Sequence, residues 1–230
     1  GNTRPLLRLI GAPYWAKGKE EASRLPAIIE LERMEASWNT DPEIELLAEG
    51  DVYPRPQMKR DNWLNLNGFW EFSAAELYAD RFRVPFCPES LLSGIHQHFP
   101  EGSTLRYRRQ FTLPADFNRG HVLLHIGAAD QELACYVNQK QVGSHKGITA
   151  MAFDITDALQ ETNELLIRVT DDLRNTAYPY GKQTLKRGGM WYTPVSGIWQ
   201  TVWLESVPET YIRALRIDNH GYTVTIDTCD

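Results

Sequence analysis

The sequence predicts an all-β fold, an antiparallel sandwich or barrel, and three observations predict it. Short apolar and aromatic segments recur between Phe69 and Leu204, separated by turn residues at a spacing of ~8–12 residues. Leu105, Tyr107, Phe111 and Leu113 alternate with Arg106, Arg108, Gln110 and Thr112, the period of a half-buried strand. Ile198 to Leu204 reads as one strand with apolar side chains on both faces. Ile198, Val202 and Leu204 share a face with Gln200, and Trp199 and Trp203 share the other.

Residues 1–50 differ from the rest. Ile28, Leu31, Met34 and Trp38 are spaced as on a helix, and Pro26 suits its first turn. This region is expected to be a short, partly helical lead-in. From Tyr53 the texture is β. Pro54 and Pro56 exclude regular helix. Asn67-Gly68 marks a turn before a strand opening at Phe69 to Phe72. Val84 to Ser90 carries two prolines and reads as extended. Leu91 to Thr104 reads as a long loop, and Leu105 to Leu113 follows as a strand. Arg109 on its apolar face suits either a buried ion pair or a ligand contact.

His121–Ile126 and Leu133–Val137 are the next strands. Asn138-Gln139 is a hairpin turn without the glycine such turns favour. Phe153-Asp154-Ile155-Thr156 and the alternating Glu164–Thr170 follow. Tyr107, Phe111, Leu124, Val137, Phe153 and Ile167 are expected in the core. The long link from Arg174 to Gly197 contains Trp191 and Tyr192, which read as packed plugs or as platforms for a ligand. Tyr211–Ile217 and Tyr222–Ile226 form two further strands, which either pack on the sandwich or belong to another domain, since two strands alone bury no core.

Composition limits the partners. The 230 residues carry 24 basic and 30 acidic side chains, a net charge of −6, with no basic block, so no nucleic-acid surface is expected. No apolar run approaches the ~18 residues of a membrane span. Leu6 to Ile10 is too short for a signal-peptide core. A soluble chain is expected, cytoplasmic or periplasmic, with nothing to choose between them. Cys87, Cys135 and Cys229 have neither zinc spacing nor a disulfide pattern and read as buried free thiols.

Several motifs share one order with a known family. Tyr53-Pro54-Arg55-Pro56-Gln57, the run Arg60 to Trp70, Val84 to Ser90, Tyr107-Arg108-Arg109-Gln110-Phe111, Leu124 to Asp130, Tyr136-Val137-Asn138, Phe153-Asp154-Ile155-Thr156 and Ser196-Gly197-Ile198-Trp199 all take part. Over residues 51–208 the chain resembles the N-terminal sugar-binding domain of family 2 glycoside hydrolases, the β-galactosidase, β-glucuronidase and β-mannosidase group. The resemblance implies a jelly-roll sandwich similar to galactose-binding domains. It implies an immunoglobulin-like domain beginning at 209–230, and beyond it a TIM barrel whose two glutamates perform retaining hydrolysis. By this reading residues 1–230 hold no catalytic residue. Relatives carry a carboxylate before the aromatic loop where this chain has Gly188-Gly189, so galactose or glucuronate specificity is not carried over.

The remaining chemistry is sparse. Asp171-Asp172 and Glu20-Glu21 are adjacent pairs, expected as solvated loop ends. His96 and His98 lack a third ligand, so no metal site is expected, and no phosphate loop or other cofactor motif is present. Two functions fit: an accessory domain of a multidomain glycosidase, or an autonomous carbohydrate-binding module. For a carbohydrate substrate the candidate contacts are Trp191, Tyr192, Gln183 and Lys182 on the long link, with His96 and Gln97 on the 91–104 loop.

Overall fold

A computed structural model of the chain describes residues 52–173, 177–186, 188–218 and 223–229. The helical lead-in expected within 1–50, together with Arg174 and Arg187, lies outside them. Fourteen strands are present among the described residues: β1 (Trp63–Asn65), β2 (Gly68–Ala74), β3 (Leu77–Val84), β4 (Thr104–Phe111), β5 (His121–Ile126), β6 (Ala129–Asp130), β7 (Glu132–Val137), β8 (Lys140–Lys146), β9 (Met151–Asp154), β10 (Asn163–Thr170), β11 (Gly197–Ile198), β12 (Val202–Val207), β13 (Tyr211–Asp218) and β14 (Thr223–Cys229). Among the described residues the helical elements are short 3₁₀ turns, at Pro56–Met58, Leu91–Ser93 and Thr156–Ala158. No helix among the described residues is long and apolar enough to cross a membrane.

Two sheets face each other. One runs β3-β2-β4-β10-β7-β8 and the other β1-β12-β5-β9, with every pairing between strands antiparallel. Alternation drives them together. In β4, Leu105, Tyr107 and Phe111 point inward; in β10, Leu165, Ile167 and Val169 do so; in β7, Leu133, Cys135 and Val137. From the opposite sheet come Val122, Leu124, Ile126, Val202 and Leu204, and all of these join one buried cluster. Of the expected core residues only Phe153 falls short of full burial, packing against the cluster from its edge. Phe72, Phe82 and Tyr107 form its aromatic centre, with ring centroids 4.5–5.2 Å apart. Such pairs contribute roughly 0.5–1.5 kcal/mol each beyond burial.

Arg109 is half-buried and engages backbone carbonyls. Its guanidinium donates to the carbonyls of Leu66 (2.8 Å) and Asn67 and lies over the Trp70 ring. It thereby pins the turn between β1 and β2.

The strand expected from Ile198 to Leu204 is broken. β11 ends at Ile198 and pairs with β6, whereas β12 starts at Val202 and pairs with β5. Between them Trp199 donates to the Ala128 carbonyl (3.3 Å), and Gly127 donates to the Thr201 carbonyl (2.9 Å). Both partner strands bend at one place, so the alternation fails there. Trp203 is buried as expected for a covered face, but Trp199 and Gln200 both point to solvent. The segment from Tyr53 to Arg60 reaches Glu205 on the outer face of β12, and on the same face Trp203 stacks on the His125 ring.

Val84 to Ser90 also departs from its extended expectation. Pro85 and Pro88 offer no N–H to a ladder, and the chain folds into two turns, with Phe86 N–H bonded to Arg83 O and Ser90 N–H to Cys87 O. Cys135 is buried, as expected, and Cys87 is half-buried.

The Asn138-Gln139 hairpin works without glycine because Asn138 is braced. Both residues have positive φ, 50° and 69°. The Asn138 amide donates to Ala158 O and Asn163 Oδ1, and its oxygen accepts from Glu164 N. Gln139, a non-glycine residue at φ 69°, holds a left-handed conformation at a steric penalty. Gln139→Gly is expected to stabilise the domain by up to about 1 kcal/mol, read as a higher urea midpoint at constant slope. β13 and β14 form a separate two-stranded sheet that exposes Ile217, Val224 and Ile226. It meets the sandwich at Tyr211, beside His121 and Arg60.

Candidate functional site

The loop after β3 and the link before β11 converge on one cavity of about 590 Å³. Cys87, Glu89, Ser90, His96, Gln97 and His98 line one side, and Leu185, Thr193, Pro194 and Val195 the other. The turns at Pro85–Ser90 bring Glu89 here. Its carboxylate accepts from Ser196 N–H (3.1 Å) and Ser196 Oγ (2.7 Å), and His98 Nδ1 lies 3.5 Å away. The Glu89 side chain is only 7% exposed, so it anchors the loop and forms part of the floor.

The link is braced by Gln183. Its amide nitrogen donates to Asp130 Oδ2 (3.2 Å) and Tyr180 O (2.8 Å), and its oxygen accepts from Val195 N–H (2.6 Å). Tyr192 N–H donates to Lys182 O (2.7 Å), and Thr184 N–H to Tyr192 O (3.0 Å). The loop is thus a small internal ladder closed against the end of the sandwich.

A second, smaller cavity of about 20 Å³ sits behind the first, lined in part by Glu89, His98, Glu101, Asp171 and Ser196. Acid accumulates around it. Burial, with the charge of Glu89, raises the Asp130 carboxyl against the hydrogen bond from Gln183. Burial, followed by the charges of Asp130, Glu89, Asp172 and Glu101, pushes Asp171 up to about 7. Asp171 is therefore half-buried in an acidic neighbourhood and not the solvated loop end expected from its position; burial is set by the distant loops, not by its neighbours in sequence. Because its folded value lies above the ordinary carboxylate value of 3.8, the folded state holds the proton more tightly than the unfolded chain. Stability should then fall as pH rises from about 4 through about 7. Asp171→Asn should flatten that limb; thermal melts from pH 4 to 8 that keep the parent's slope would contradict it.

His96 and Gln97 line the cavity and are exposed. Gln183 spends its amide on the loop itself. Lys182, Trp191 and Tyr192 lie on the exposed outer part of the link, outside the cavity lining, with Trp191 40% and Tyr192 66% exposed. Glu89 and Asp130 escaped sequence reasoning, which treats His98 only as part of an incomplete metal pair and Asp171 only as a solvated loop end. Among the described residues no group of three or more His, Cys, Asp or Glu is arranged to hold a metal ion.

No family model matches the chain. A β-galactosidase from Thermoanaerobacter pseudethanolicus is 29% identical over 162 residues, which cover 66% of this chain and 21% of that protein. A β-D-mannosidase from Dictyoglomus thermophilum shares the fold with a TM-score of 0.53 at 22% identity, covering 70% of this chain and 24% of the other. The chain fits the N-terminal domain of a family 2 glycoside hydrolase. A β-glucuronidase from Ruminococcus gnavus in complex with D-glucuronic acid has the same fold, with a TM-score of 0.57 at 17% identity over 77% of this chain and 36% of that one. The chain spans about a fifth of the curated relative's length.

Proposed function

We propose that the chain is the non-catalytic, jelly-roll sugar-binding domain of a retaining family 2 glycoside hydrolase acting in carbohydrate metabolism. Residues 51–208 form that domain, residues 1–50 a lead-in, and 209–230 the opening strands of an immunoglobulin-like domain. A TIM barrel elsewhere in the parent supplies the two catalytic glutamates. The observation that carries this reading is the partial match to a β-galactosidase, 66% of this chain against 21% of that protein. An autonomous binding module is less favoured for the same reason.

In this reading the 91–104 loop and the link before β11 form one wall of the barrel's substrate cleft. His96 and Gln97 offer polar contacts from one side, and Trp191, Tyr192 and Lys182 from the other, with Gln183 holding the link in place. The exposed Trp191 offers a flat apolar face for a sugar ring. Isolated residues 1–230 are expected not to hydrolyse nitrophenyl glycosides. Turnover that vanishes on mutating a carboxylate within them would refute the assignment. In the full-length parent, Trp191→Ala should lower kcat/KM by about 1–3 kcal/mol in transition-state terms and leave the melting temperature nearly unchanged. A Trp191 wedged against another domain would instead destabilise the fold by on the order of 3 kcal/mol while the surviving enzyme kept parent kinetics.

A further inference from the structure

A second groove of about 640 Å³ opens beside β1 and the break between β11 and β12, and it shares no lining residue with the cavity described above. Its volume lies in the range of small-molecule sites. The break creates its wall. A continuous strand would send Trp199 and Gln200 to opposite faces, but here both are exposed, Trp199 by 38%. Local irregularities of this kind re-aim side chains. The opposite strand accommodates the break with Gly127, where a Cβ would stand 2.8 Å from the Gln200 Cβ.

The floor is fixed before any ligand arrives. Asn67 donates through its amide to Thr201 Oγ1 (3.2 Å) and accepts from Val202 N–H (3.0 Å), while Asn65 accepts from Asn67 N–H (2.8 Å). Arg55 is held by Glu205 at 3.1 Å, which matches its charge and sets its orientation. Among the described residues that line the groove, Arg55 alone is charged. The groove therefore combines the exposed Trp199 indole, with the buried Trp203 beside it, rigid amide and hydroxyl groups, and one guanidinium held by a carboxylate. That set recognises a neutral polyhydroxylated ring, whose C–H face lies on an aromatic and whose rim hydroxyls bond to amides.

We propose that this groove is a second saccharide site, taking one or two neutral pyranose units with a ring face on Trp199 and hydroxyls on Gln200, Thr201 and Arg55. The ligand class rests on the carbohydrate reading above; the place rests on the groove alone. The test is calorimetric titration of residues 1–230 with lactose, cellobiose and β-mannobiose. Saturable binding of at least one is expected, with a dissociation constant on the order of 1 mM. Trp199→Ala should weaken it at least tenfold, Gln200→Ala severalfold, and Tyr78→Ala, at an exposed position of β3 outside both cavities, not at all. Should Trp199→Ala melt early, Trp199→Phe and Gln200→Ala decide the matter, since both retain most of the wall. Absence of saturable binding by all three sugars overturns the proposal. So does binding that survives Trp199→Ala and Gln200→Ala but is lost in Trp191→Ala. Either failure leaves the kinetic test of Trp191 in the parent enzyme untouched, so the two readings fail separately.

Discussion

Gly197→Ala is expected to destabilise the domain by roughly 2–5 kcal/mol. The residue sits at φ +71°, where a side chain is strained by about 1–2 kcal/mol. Its added Cβ would stand 1.9 Å from the Tyr107 hydroxyl oxygen and 2.9 Å from Leu105 Cδ1. Both neighbours are held in the packed core, with Tyr107 in ring contact with Phe72 and Phe82. Neither can retreat without opening the aromatic centre, and overpacking of this kind costs about 1–3 kcal/mol more. A urea titration reads the sum directly. A loss under about 1 kcal/mol would mean that β11 repositions freely, contrary to its pairing with β6.

Glu205→Gln should be of similar size for an electrostatic reason. The Glu205 side chain is fully buried on the outer face of β12. Arg55 approaches to 3.1 Å, Arg60 to 3.9 Å, His125 to 3.1 Å, and the Trp203 indole donates at 3.0 Å, with the Tyr53 hydroxyl also on the carboxylate. Burial alone would raise this carboxyl; the hydrogen bonds and charge of His125, then Trp203 and Tyr53, outweigh it and hold it at about 2. Removing the charge leaves two guanidinium groups facing a buried, neutral amide, and breaking such a set costs about 3–5 kcal/mol. The sign with pH is fixed. A depressed carboxyl contributes fully above its ordinary value of 4.5 and loses that contribution as pH falls towards 2. The parent should therefore show a stability loss over that window, and the Gln variant should not. Equal acid limbs in the two proteins would show that another carboxylate dominates.

The central strands β4, β7 and β10 were legible in the sequence, and the edge strand β3 was not. β4, β7 and β10 each have neighbours on both sides and one face on the core, so Leu105, Tyr107, Leu133, Leu165 and Ile167 must alternate with polar residues. β3 lies at the edge of its sheet. Asp80, Arg81 and Arg83 interrupt its pattern, and the Arg81 and Arg83 guanidinium groups lie against the Phe69 ring, a contact that no local rule anticipates. The break at Trp199–Thr201 was hidden because Ile198 to Leu204 alternates through it. Its cause is the bend at Gly127 and Ala128, some seventy residues earlier.

The candidate site divides along the same line. His96 and Gln97 were found because a long polar loop with two histidines stands out, and both line the cavity. Glu89 was hidden by two prolines that suggested extended chain. Asp171 looked solvated because it follows a strand end, although loops distant in sequence enclose it. Gln183 looked like a donor to a ligand, but the link that contains it needs that amide for its own closure.

The paired bends in β5–β6 and β11–β12 also bear on how the domain comes apart. β5 and β12 belong to the four-stranded sheet, while β6 and β11 lie against β10 in the other. Each backbone thus leaves the four-stranded sheet and joins the β6–β11 pair beside β10 within two or three residues. The layers are stitched together by covalent chain at that end, so they cannot peel apart like pages. Separating them requires unzipping β6 from β11 first, which also frees the link that carries the cavity wall. Loss of the wall and loss of the sandwich are, mechanically, one event.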